Sequence, residues 1–67
     1  MTDKEIYLLR AAEARADADL ATLENVRTRC LRSEAVWNGM AARAEHVEKM
    51  RAERLAEIAS AEKLPSP

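Results

Sequence analysis

The chain has 67 residues, enough for one small domain and too few to bury a large core on its own. Ala, Glu, Lys, Leu and Arg make up 41 of those residues, a bias that points to long helices or coiled coils, and no stretch alternates as a half-buried strand would. Eleven basic against twelve acidic side chains leave a formal charge of −1, which excludes the broad basic surface of a non-specific nucleic-acid binder.

The first predicted element begins at "TDKE". Thr2 and Glu5 have the spacing of a capping box, so a helix is expected from about residue 3 to residue 22. Acid stands at the N-terminus where a secretory signal has a basic region, and no apolar run reaches membrane-spanning length, so an unexported, cytoplasmic chain without a membrane partner is expected. The lone Cys30 fits a reducing compartment. Two faces of this helix carry patterned residues. Ile6, Leu9, Ala16, Leu20 and Leu23 form the larger apolar row, interrupted by Glu13, and are expected to pack on the second helix. Tyr7, Ala11, Ala14, Ala18 and Ala21 repeat on another face with four-three spacing. They suit either a close helix contact or exposed positions filled by alanine for its helix propensity, and the latter is the expectation.

At "ATLENVR" Thr22 and Asn25 compete for backbone hydrogen bonds, predicting a turn with Asn25 as N-cap of a second helix. The alternative is one continuous helix, since the stretch holds neither Gly nor Pro. The second helix is expected from Val26 to about residue 62, where "KLPSP" ends it. The fold expected is therefore all-α: an antiparallel hairpin over residues 1–63, with helices at about 3–22 and 26–62, and a disordered Pro-containing tail at 64–67.

Along the second helix Val26, Cys30, Ser33, Trp37, Met40, Ala44 and Val47 alternate steps of four and three, a coiled-coil seam that shifts by a stutter at Arg51 to reach Leu55 and Ile58. Trp37 is expected in the core, with Ser33 a turn earlier as a polar neighbour for its indole N–H. Gly39 lies about 200° from it, either admitting a neighbouring backbone or marking an exposed defect. Arg29, Arg32, Arg43 and Arg54 flank the seam on one shoulder, and Glu34, Glu45 and Glu48 on the other.

No residue pattern points to catalysis. Cys30 and His46 lie sixteen positions apart on one helix, about 24 Å, too far to act as nucleophile and base. One glycine cannot build a phosphate loop, and one histidine without a Glu-x-x-His unit builds no bundle metal site. No cofactor, metal or enzyme activity is expected.

"EIYLLRAAEARADAD" followed by "NVRTRCLRSEAVWNGMAARAEHVE" is similar to small uncharacterised bacterial two-helix proteins, with Tyr-x-x-Arg-Ala-Ala-Glu on one helix and Arg-x-x-x-x-Trp-x-x-Met-Ala on the other. The matching residues are Tyr7, Arg10, Ala11, Ala12 and Glu13, then Arg32, Trp37, Met40 and Ala41. The resemblance implies a two-helix fold and a bacterial cytoplasm, and carries no activity.

The function expected is a non-enzymatic helical interaction module whose partner is a second copy of itself, forming a four-helix or coiled-coil homodimer. The unequal helices leave Val47, Met50, Leu55 and Ile58 without cover from their own chain, and Leu9, Leu20, Leu23, Val26, Cys30, Trp37, Met40 and Ala44 complete the expected core and interface. An antiparallel arrangement of the copies is favoured. The alternative is a small regulator that contacts nucleic acid, or a protein bound to it, through Arg27, Arg29, Arg32 and Arg43.

Overall fold

The computed structural model describes residues 1–62, and the expected tail at 64–67 and the boundary at 63 lie outside them. Two helices, α1 (Asp3–Leu20) and α2 (Glu24–Glu62), form a hairpin with no strand among the described residues. Ion pairs between the helices define the direction: Lys4 reaches Glu45 and Arg15 reaches Glu34, so the numbers fall on α2 as they rise on α1, and the helices are antiparallel.

The start of α1 follows from its capping box. The Thr2 hydroxyl accepts from the Glu5 amide at 3.2 Å and the Glu5 carboxylate accepts from the Thr2 amide at 3.2 Å, satisfying two groups that the helix leaves unpaired. Its end comes at Leu20, two residues before the expected one. Ala21 turns out into extended backbone at φ −70°, ψ 131° while its amide still donates to the Ala18 carbonyl. Residues 21–23 make the turn, so the hairpin and not the continuous helix is the fold.

Asn25 does not cap α2. The Arg27 amide donates to the Leu23 carbonyl at 3.0 Å, which places the N-cap at Leu23, two residues earlier than expected. Asn25 therefore sits inside the first turn, where its Oδ1 accepts from the Val26 amide at 3.0 Å. The polar side chain still satisfies a first-turn donor, one residue along from its own position.

The core is made of small residues. Ala11, Ala14 and Ala18 of α1 and Ala41 of α2 are buried, at 8% exposure or less, and they are the only residues so enclosed among those described. This corrects the face assigned to α1. Ile6, Leu9 and Leu20 are exposed at 37%, 49% and 81%, Ala16 is exposed with them, Leu23 lies in the turn at 62%, and the alanine row packs instead. The physical reason is distance: alanine lets the two backbones approach closely along their whole overlap, and close-packed atoms gain dispersion energy that separated ones forfeit.

On α2 the half-buried residues Val26, Cys30, Ser33, Trp37, Met40 and Ala44 follow the expected track facing α1. Trp37 is half-buried rather than enclosed. Its ring stacks on Tyr7 at 6.0 Å between centroids and 27° between planes, so the tyrosine heading the alanine row supplies the large aromatic contact. Ser33 makes no hydrogen bond to the indole, whose N–H is left at the edge of the contact and not enclosed. Gly39 lies on the exposed side with open space where a Cβ would sit, so it admits no neighbouring backbone.

Candidate interaction surface

A helix of 18 residues spans about 27 Å and one of 39 residues about 58 Å, so α2 runs far past the start of α1. The Lys4–Glu45 pair marks where cover from α1 ends, and residues 47–62 form a single exposed helix. The Cα radius of gyration, 19.2 Å, compares with about 11 Å for a compact chain of this length. The step this creates is the main surface feature of the molecule.

Beyond the step α2 stays apolar on one side. Val47, Met50, Leu55 and Ile58 are 46–67% exposed, and Val36 just before the step is 60% exposed. At the step itself a groove of about 520 Å³ is walled by Tyr7, Val36, Met40, Ala44 and Val47, with Asp3, Arg43, Glu48 and Arg51 completing its lining. A second groove of about 440 Å³ runs along the extension past His46, Met50 and Glu57. Both are open troughs, suited to a helix side and too shallow to enclose a small molecule.

Charge is divided between the two long sides of the hairpin. Lys4 and Arg15 close on Glu45 and Glu34 at 3.7 Å and 3.8 Å, and within α1 Arg10 pairs with Glu13 and Arg15 with Asp19. All three cations of α1 are thus engaged. Two members of the glutamate shoulder, Glu34 and Glu45, are engaged by the chain's own first helix. The arginines of α2, Arg27, Arg29, Arg32, Arg43, Arg51 and Arg54, take part in no ion pair among the described residues. Arg27 sits about 160° around the helix from Arg29, so the four arginines considered for phosphate contact do not converge on one patch.

Cys30 is half-buried on the track facing α1 and His46 is exposed on the extension, so the fold does not bring them together. Among the described residues no group of three or more His, Cys, Asp or Glu side chains is placed to hold a metal ion, and no helix is long and apolar enough to cross a membrane.

The ion pairs Lys4–Glu45 and Arg15–Glu34 and the Tyr7–Trp37 stack were not foreseen, because each joins a residue of the alanine-bearing side of α1 to α2. The signal was present in the strict four-three spacing from Tyr7 to Ala21. Compared with family models, with curated proteins and with solved structures, the chain finds no match in any of the three.

Proposed function

We propose that the protein is a non-enzymatic helical interaction module whose first partner is a second copy of itself. The observation that carries this reading is the step: sixteen residues of α2, from 47 to 62, present Val47, Met50, Leu55 and Ile58 with nothing from their own chain to cover them. Burying a large aliphatic side chain contributes about 1.5–3 kcal/mol, and a two-helix hairpin whose enclosed core is four alanines has little stability to spare. The exposed surface of 5718 Å² exceeds the roughly 4,200 Å² of a compact monomer of this size, and the excess is larger than the ~800 Å² each partner gives to an ordinary interface. A reducing cytoplasm suits the lone Cys30.

The alternative of nucleic-acid contact draws less support. Arg29 and Arg43 share a side of the hairpin with Asp3, whose carboxylate would repel phosphate, and Arg27 points elsewhere. Sedimentation equilibrium on the full chain and on a version ending at Glu48 tests the module. A dimer at micromolar concentration is expected for the full chain, with association at least tenfold weaker after truncation. A full chain that stays monomeric at high micromolar concentration would overturn the reading.

A further inference from the structure

The side of the hairpin opposite the Lys4–Glu45 and Arg15–Glu34 pairs carries charge that the chain does not neutralise. On α1, Asp3, Arg10 and Asp17 recur at intervals of seven, and on α2 so do Arg29, Val36 and Arg43, an interval that returns to nearly the same line along a helix. Asp3, Val36 and Arg43 line one groove with Tyr7 and Met40, which fixes both rows to this side. Arg10 is engaged by Glu13, whereas Asp3, Asp17, Arg29 and Arg43 enter no ion pair among the described residues. The face thus has an acidic rim from α1, a basic rim from α2, and apolar side chains at the groove between them.

We propose that the second copy docks on this face about a two-fold axis running along the hairpin, laying α1 of each copy over α2 of the other. The inference rests on the self-association reading and specifies its geometry, with the two copies running in the same direction and not in the antiparallel arrangement that the helix lengths alone favour. Rotation about a lengthwise axis leaves height along the hairpin unchanged, so each α1 residue meets the level of the partner's α2 that it already occupies beside its own. With Tyr7 level with Trp37 and Leu20 level with Glu24 across the turn, Asp17 stands level with position 27 and Asp3 with position 41. Asp17 then faces the partner's Arg29 and Asp3 the partner's Arg43, each within one turn, and both contacts occur twice by symmetry. Acidic rim meets basic rim, and every neighbouring pair of helices in the resulting four-helix bundle is antiparallel. A copy turned end over end would set basic rim on basic rim. The lengthwise axis also brings both 47–62 segments to the same end, where they cover one another.

Charge reversal and mixing test this arrangement. Arg29→Glu and Asp17→Arg each place like charges at both symmetric contacts, so sedimentation equilibrium should find each variant dimerising at least tenfold more weakly than the natural chain. In an equimolar mixture both contacts become complementary, and a heterodimer within about threefold of the natural affinity is expected. Helicity measured on each variant separates a folding defect from an association defect. Spin labels at Thr22→Cys and at Ala61→Cys, each in a Cys30→Ser chain, should both give distances between copies below about 35 Å. An end-over-end dimer places at least one of the two beyond about 55 Å, because positions 22 and 61 lie about 58 Å apart along the chain. If the natural chain is monomeric, both readings fall. If it dimerises but mixing rescues nothing, or either label pair is far apart, the lengthwise arrangement falls and self-association stands.

Discussion

The alanine row of α1 is the feature most open to a decisive substitution. Ala18 is 1% exposed between the helices, and Ala18→Leu adds three heavy atoms at this enclosed position. Overpacking of this kind costs typically about 1–3 kcal/mol, and here the relief available is separation of the helices, which also loosens Ala11 and Ala14. In a domain of this size each kcal/mol moves the thermal midpoint by roughly 4–8 °C, so Ala18→Leu should lower it by on the order of 5–20 °C. Ala16, two positions away on the exposed side, provides the control. Ala16→Leu should change stability by no more than about 0.5 kcal/mol, as expected of a surface position. Far-UV circular dichroism melts at matched chain concentration measure both. If Ala16→Leu proves the more damaging, the leucine-bearing face of α1 packs on α2 and the assignment of the core is wrong.

Other substitutions follow from the same geometry. Trp37→Ala should cost about 2 kcal/mol, below the 3–5 of a fully enclosed aromatic because the ring is half-buried, and Tyr7→Ala should red-shift Trp37 fluorescence by removing the stacked ring. Gly39→Ala should raise stability by roughly 0.5–1 kcal/mol in a denaturant titration, since a methyl group there meets open space in a helix interior. Glu24→Pro should leave the melt within a few degrees of the natural protein, because Glu24 is the first helical position of α2 and proline suits that site; a collapse of helicity would contradict the turn at 21–23. Asn25→Ala should cost well under the ~1 kcal/mol of a true N-cap, measured the same way.

The half of the contact contributed by α2 was legible in the sequence because its four-three track holds residues of every size, with Trp37 and Met40 large enough to mark the inward side. The half contributed by α1 was not. Size ranking favours Leu9 and Leu20 for the interior over Ala11 and Ala18, and nothing in a single helix says how near its neighbour will come. Close approach reverses the ranking, because a small side chain admits contact along the whole backbone while a leucine holds it off. The turn was placed within two residues, and the error at Asn25 has a local cause. An asparagine oxygen serves a first-turn amide equally from within the helix, and the residue before it, Glu24, is as good a helix former as a capped helix needs. For the candidate surface, the uncovered extension could be counted from helix lengths, whereas the sorting of charge into a spent side and a free side needed the ion pairs.

A hairpin held by four enclosed alanines has an unusual thermal character. Heat capacity rises on unfolding chiefly because apolar surface enters water, and here most large aliphatic groups of the folded chain are already in contact with solvent. Its increment should fall below the ordinary 12–15 cal/mol/K per residue, which flattens the stability curve and weakens any loss of structure on cooling. Association is the opposite case. In the proposed dimer, covering Val47, Met50, Leu55 and Ile58 would remove that surface from water, so the heat capacity change would reside mostly in the contact between copies. Temperature would then act on the proposed pairing more than on folding: cooling would weaken the hydrophobic contribution to assembly while each hairpin kept its helices.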